Sequence, residues 1–195
     1  MFGIKNSTPE IAYAQAPEKK SDAIEIVIVS DNHGHKELME QVLERHNEAD
    51  YFLHAGDSNL KPTEPVMLPF KCVRGNTDFM LPYEDEIRLT LPTGDIIDVM
   101  HGHLHRVNGG VHGLIARAHQ KETFPHIICY GHTHIVDVQQ IDGKLIIINP
   151  GSITSPRGGI LEQTYALLHV TKTDYDVYMM NAKSGKVLEM HHFDK

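Results

Sequence analysis

Apolar residues fall into short runs along this chain, each closed by glycine or by a polar pair. Ile24 to Val29, Tyr51 to His54, Phe70 to Val73, Ile96 to Met100 and Ile127 to Tyr130 are such runs. Short β-branched runs ended by turn residues predict buried strands. Between the first two, Leu38, Met39, Val42, Leu43 and His46 recur at helical spacing, with Glu37, Glu40, Glu44 and Arg45 on the other side. That spacing predicts an amphipathic helix. A second helix is expected from about Gly110 to Gln120, where Val111, Leu114, Ile115 and Ala118 share a face and Phe124-Pro125 stops the chain.

The second half has a different texture. Asp137 to Ile141 and Lys144 to Ile148 flank Asp142-Gly143, a strong two-residue hairpin signal. Thr164 to Val170, Tyr175 to Asn181 and Val187 to His191 follow as further strands separated by polar turns. A βα-type first half followed by strands that turn back antiparallel predicts two packed sheets with helices on their outer faces. There is no internal repeat and no low-complexity tract.

The chain has 195 residues, enough for one compact domain with its own core and no disulfide help. Its two cysteines, Cys72 and Cys129, sit within apolar runs and are expected to be buried and reduced. Residues 1–23 carry Pro9, Pro17, Lys19 and Lys20 with few apolar neighbours, and are expected to form a mobile N-terminal extension ahead of a domain over 24–195. Ala12 to Ala16 superficially matches a signal-peptidase site, but no continuous apolar stretch precedes it. With no run near the ~20 apolar residues that cross a bilayer, a cytoplasmic protein without a membrane partner is expected. A net charge of −8 argues against a broad nucleic-acid surface, which needs clustered Lys and Arg. It leaves open a site made locally positive by bound cations, and a homo-oligomer.

The chemistry lies at the ends of the apolar runs. Asp31-Asn32-His33, Gly56-Asp57, Gly75-Asn76-Thr77-Asp78, His101-Gly102-His103 and Gly131-His132-Thr133-His134 each follow one of them. Strand C-termini in an α/β sheet are where ligands bind. Asp31, His33, Asp57, Asn76, His101, His132 and His134 offer carboxylate, amide oxygen and imidazole with no thiolate. That mixture suits two divalent transition-metal ions, manganese first, with zinc, iron or nickel as alternatives, better than a structural sulfur-bound zinc. A lone Asp-x-His is more often a helix cap beside a surface histidine, and it is the company of the other motifs that reverses the reading. His54, inside a strand, is expected to be a buried neutral histidine, and Asp78 either a turn cap or a partner of a ligand histidine.

In that order, and with Asn149-Pro150-Gly151-Ser152 one hairpin later, the motifs resemble the calcineurin-like metallophosphoesterase superfamily, and within it the small single-domain bacterial and archaeal phosphodiesterases. The resemblance covers about Ile24 to Pro156. It implies an α/β (α+β) fold, a four-layer α/β/β/α sandwich of two packed β-sheets flanked by helices. It further implies one metal on Asp31, His33 and His134, a second on Asn76, His101 and His132, and Asp57 bridging both. Many relatives have histidine where this chain has Thr77, and threonine does not titrate near neutral pH. The source of the leaving-group proton is thereby opened.

The expected function is a metal-dependent phosphodiesterase acting on a small phosphoester by in-line attack of a hydroxide bridging two divalent metals. Asp57, Asn76 and His103 are its catalytic residues, and Asn76, His103 and Arg157 its candidate phosphate contacts. No Gly-x-Ser-x-Gly motif supplies a protein nucleophile. The alternatives are a phosphomonoesterase or nuclease on the same centre, a module that binds a nucleotide without turnover, and a non-catalytic phosphoesterase-like scaffold.

Overall fold

The computed structural model describes residues 4–5 and 17–195. Among the described residues, twelve strands form two six-stranded sheets. One sheet runs in the order β12 (Val187–Asp194), β11 (Asp174–Asn181), β10 (Thr164–Val170), β2 (Ile24–Val29), β3 (Tyr51–His54) and β4 (Phe70–Cys72). The other runs β1 (Ile4–Lys5), β8 (Val136–Ile141), β9 (Leu145–Pro150), β7 (Ile127–Cys129), β6 (Ile96–Met100) and β5 (Glu86–Thr90). Helix α1 (Glu37–Arg45) covers the outer face of the first sheet, and α2 (His112–His119) that of the second.

Successive side chains of a strand point to opposite faces. Ile26, Ile28, Ala166, Leu168, Val177 and Met179 therefore meet Ile97, Val99, Ile127, Cys129, Ile146 and Ile148 between the sheets. Their neighbours Val27, Val29, Tyr165 and Leu167 pack on Met39 and Val42 of α1. Met100, Ile128, Leu145 and Ile147 pack on Leu114 and Ala118 of α2. Central strands buried on both faces read as continuous apolar runs, which is why the pattern found them. Cys72 and Cys129 are free and buried, as expected. Burying an apolar side chain of this size is worth roughly 1.5–3 kcal/mol, so the four layers are held mainly by these three clusters.

β2, β3 and β4 pair in parallel, and so do β6, β7 and β9. Each parallel set delivers its motif loops at the C-terminal ends of its strands. β10, β11 and β12 form an antiparallel meander, as the second half of the sequence predicts. Two features differ from the pattern. Strand β5 is an edge strand whose alternation of Ile87 and Leu89 with Glu86, Arg88 and Thr90 was too weak to predict it; Arg88 grips its register partner Asp98 through Nε and Nη2, both at 2.7 Å. The second helix starts later than expected, because the 3-10 turns His103–His105 and Val107–Gly109 occupy its approach and Gly110 has φ 109°.

The expected mobile extension over 1–23 falls largely outside the described residues. Within them, β1 pairs antiparallel with β8, Lys19 meets Asp50 at 2.7 Å, and Lys20 meets Asp174 and Asp176 at 3.2 and 2.8 Å. No helix among the described residues is long and apolar enough to cross a membrane.

Candidate metal centre

All five motif loops converge at one end of the sandwich. His33 Nε2 and His134 Nε2 stand 3.3 Å apart, and His134 Nε2 is 3.2 Å from Asp31 Oδ1. His101 Nε2 lies 3.5 Å from Asp57 Oδ2 and 3.2 Å from Asn76 Oδ1, which is 2.8 Å from His132 Nδ1. Among the described residues, Asp31, His33 and His134 form one group able to hold a cation, and Asp31, Asp57 and His101 another. The seven ligand-type residues of the sequence are thus brought together in two adjoining halves.

The protons reveal what the atoms face. His101 Nδ1 is 2.7 Å from the Ala55 carbonyl and His134 Nδ1 is 2.8 Å from the Ser155 carbonyl. A carbonyl only accepts, so both Nδ1 atoms carry the hydrogen, and in the neutral ring both Nε2 atoms present a lone pair inward. His33 Nδ1 faces Asn59 Oδ1 at 3.3 Å, which turns its Nε2 inward in the same way. Asp31 Oδ1 is buried with no hydrogen-bond partner, while Oδ2 accepts from Ser30 Oγ at 2.6 Å and the His132 amide at 3.1 Å. Lone pairs facing one another around an orphaned carboxylate oxygen are costly unless a cation lies between them. This donor set fits divalent metal ions.

Electrostatics follow the same layout. Burial opposes charge on Asp57, but the His101 ring and the Thr77 amide outweigh it and hold the carboxyl well below the usual range. Burial likewise opposes protonation of His101, and Asp57 and Asp31 overcome it to raise its pKa. Asp31 raises His134. Burial, then His101, lowers both His103 and His132.

The backbone is bent to build this cluster. Nine non-glycine residues among those described have positive φ, and five of them are Asp31, His33, Asp57, His132 and His134. Left-handed geometry costs a residue with a Cβ roughly 1–2 kcal/mol, so its concentration on candidate ligand positions marks strain held for a purpose. Gly75 and Gly131 leave room for the carboxylates: a Cβ at Gly75 would lie 2.0 Å from Asp57 Oδ1, and one at Gly131 2.8 Å from Asp31 Oδ2.

Residues beyond the ligand set hold the loops. His54, fully buried, places Nε2 2.9 Å from Asn32 Oδ1 and accepts the Gly56 amide on Nδ1 at 3.1 Å, tying the Asp31 loop to the Asp57 loop. Burial lowers its pKa to about 4, so it is neutral, as the sequence suggested. The clasp itself was not foreseen. Ser152 and Thr154 hydroxyls donate to the Asp31 carbonyl at 2.8 and 2.9 Å, and Asn149 Nδ2 donates to Gly131 O and Thr133 Oγ1. Asp78 is a loop anchor: its carboxylate accepts from Asn59 N, Ser58 Oγ and Gly75 N and bonds no ligand histidine. Asn59, which sequence reasoning passed over, also donates to the Thr77 carbonyl and hydroxyl.

His103 stands at the edge of the cluster, its ring 5.3 Å from that of His101 and 6.2 Å from that of His132. Arg157 is exposed, with its amide on the His134 carbonyl at 2.9 Å. Asn76 and Thr77 are exposed, so the centre opens to solvent on the Asn76 side. A third cation-type group, Asp174, Asp176 and His192, lies on β11 and β12, where Lys20 already supplies the positive charge.

Comparison with known proteins agrees with this geometry. The family model of the calcineurin-like phosphoesterase superfamily domain matches residues 24–173. A probable metallophosphoesterase of Bacillus subtilis, YsnB, is 40% identical over 144 residues, spanning 73% of this chain and 82% of that protein. A crystal structure from Streptococcus pneumoniae, described as a predicted phosphoesterase, superposes with a TM-score of 0.81 at 30% identity, covering 89% of this chain and 98% of that one. Vps29 from Entamoeba histolytica, solved as a complex with zinc, shares the fold with a TM-score of 0.68 at 21% identity over 87% of this chain and 98% of its own. On the family match and these relatives, the chain belongs to the calcineurin-like phosphoesterase superfamily.

Proposed function

We propose that this protein is a phosphodiesterase that works with two divalent metal ions. One observation carries the reading: inward-facing imidazoles and the orphaned Asp31 Oδ1, in two adjoining groups that could each hold a cation, support a paired site in a member of a phosphoesterase superfamily. Asp31, His33 and His134 would hold one ion, Asn76, His101 and His132 the other, with Asp57 between them. Bound there, the ions would supply Lewis-acid charge that lowers the pKa of water and neutralises the oxygens of an in-line displacement. The chain's own residues orient and fix. Thr77 N–H holds Asp57 Oδ1 at 2.8 Å, leaving Oδ2 free to turn inward. Arg157, whose amide meets the His134 carbonyl, and His103, whose ring lies beside that of His101, are the candidates to meet phosphate oxygens, His103 by donating a ring N–H; burial and then His101 lower the His103 pKa.

A non-catalytic scaffold is the second reading, favoured by the Vps29 structures that share the fold. The complete ligand set argues for catalysis, since a scaffold has no need to keep strained backbone at five ligand positions. Metal analysis after saturation with manganese or zinc, followed by a screen of phosphomonoesters, linear diesters and cyclic nucleotides, tests the reading. Two ions per chain with diester turnover are expected. At most one well-held ion would refute the paired site, and two ions without turnover on any ester would favour the scaffold.

A further inference from the structure

Five of the seven large hydrophobic side chains that stand exposed among the described residues lie on the loops of the metal centre. Phe79 and Met80, 85% and 87% exposed, follow Asn76-Thr77-Asp78. Leu104 follows His103, Ile135 follows His134, and Leu161 ends the loop that Arg157 bridges to Ile135. Single exposed hydrophobics are ordinary on a protein surface. Concentration around one polar centre is not.

The Phe79-Met80 tip is also built stiffly. Buried Asp78 anchors it through three hydrogen bonds, and the Leu81 amide closes the turn on the Asp78 carbonyl at 3.0 Å. Met80 has φ 68°, a left-handed geometry that a long unbranched side chain seldom adopts. Strain and exposed apolar surface thus coincide at Met80, four residues from Asn76. Three residues of chain span at most about 11 Å, so the Phe79 backbone lies within that distance of Asn76, whose amide oxygen meets His101 and His132. Leu104 adjoins the same half through His103. Cations are sparse there: Arg74 is committed to Asp85, leaving Arg106 and Arg157 on the motif loops without an ion pair among the described residues. That arrangement suits a compact phosphoester with an apolar arm better than an extended polyanion.

We propose that Phe79, Met80 and Leu104 form an apolar rim that receives the ester substituent next to the phosphate, so that the site selects phosphodiesters carrying an aromatic or extended apolar group over those carrying a small alkyl one. The inference rests on the phosphodiesterase reading and names its substrate class. Covering roughly 50–60 Å² of apolar surface at about 25 cal/mol per Å² corresponds to about a tenfold gain in affinity, or 1.4 kcal/mol.

Calorimetry on the manganese-loaded full chain tests this without turnover. Phenylphosphonate is expected to bind about tenfold tighter than methylphosphonate. That ratio should fall to about twofold in Phe79→Ser and in Leu104→Ser. Leu68→Ser, a control at an equally bare apolar residue on the approach to β4, should keep it. A kinetic arm compares p-nitrophenyl phenyl phosphate with p-nitrophenyl methyl phosphate, which share a leaving group and differ only in the arm. Equal affinity for the two phosphonates, or a preference that neither rim variant moves, would overturn the rim and point to another use of the patch, such as a protein contact. Hydrolysis of neither diester, with the phosphonate preference intact, would sink the phosphodiesterase reading and leave the rim standing.

Discussion

Gly75→Ala isolates the packing of the bridging carboxylate. Gly75 does not have positive φ, so alanine suits its backbone and the whole effect is steric. The added Cβ would lie 2.0 Å from Asp57 Oδ1, 2.3 Å from Asp57 N and 2.7 Å from Asp57 Cγ. Ordinary contact begins at 3.4 Å, so carboxylate and Cβ must separate by more than 1 Å. The carboxylate cannot simply swing aside, because Thr77 N–H holds its Oδ1 at 2.8 Å and the Asp57 backbone itself is in contact. Overpacking of this kind costs about 1–3 kcal/mol. At roughly 2–4 °C per kcal/mol for a chain of this size, the metal-free protein should lose about 2–12 °C in Tm. A 1 Å misplacement of a reacting group costs on the order of 100-fold in rate, so kcat with manganese should fall at least that far and the second metal should bind more weakly. Scanning calorimetry of metal-free protein, metal stoichiometry after desalting, and diester turnover form the assay. Gly159→Ala, where a Cβ meets nothing within 4 Å, serves as the control and should be silent in all three. Wild-type stoichiometry and turnover in Gly75→Ala would refute the role given to Asp57 and to the close approach of the two loops.

Asp57→Asn should abolish hydrolysis in saturating manganese while the circular dichroism spectrum stays native, whereas His103→Ala should be milder; undiminished turnover in Asp57→Asn would remove the bridge from the mechanism. Thr77 is tied to Asn59 and does not titrate near neutrality, so rates should depend steeply on leaving-group pKa, and Thr77→His should flatten that dependence. A flat dependence in the wild type that steepens in His103→Ala would instead make His103 the acid. Away from the site, His169 at 3.0 Å and His46 at 3.4 Å hold Glu25 down from an ordinary 4.5 to about 2. A depressed carboxyl stabilises fully above its unfolded pKa and loses that contribution as pH falls through the folded one. The advantage of wild type over Glu25→Gln in urea denaturation should therefore shrink between pH 4.5 and 2, by up to about 3 kcal/mol. A gap constant across that window would show that Glu25 is not linked in this way.

Most strands and both helices were legible because burial on one or both faces writes itself into apolar spacing, and the candidate ligand residues were legible because each motif closely follows a strand. Strand β5 escaped: an edge strand with a half-exposed face needs little apolar sequence, and its register partner Asp98 supplies what holds Arg88. The loop-holding residues escaped for another reason. Asn59 and Thr154 act on residues 26 and 123 positions away, the first holding the His33 ring and the second the Asp31 carbonyl, and nothing local in the sequence marks such pairs. His54 was legible as buried but not as a clasp, because burial follows from its strand and partnership with Asn32 follows only from the parallel pairing of β2 with β3.

By itself the sequence determined which side chains were available for chemistry and that they would stand at strand ends, since those are properties of composition and of local apolar periodicity. Only the tertiary structure decided that two parallel sets of strands, in different sheets, end at the same pole, that the imidazoles and Asp31 Oδ1 turn toward one another, and that Phe79, Met80 and Leu104 stand bare on the loops that follow Asn76 and His103. Distances between residues a hundred positions apart depend on how two sheets pack, and packing is a sum over many weak contacts that no single segment of the chain contains.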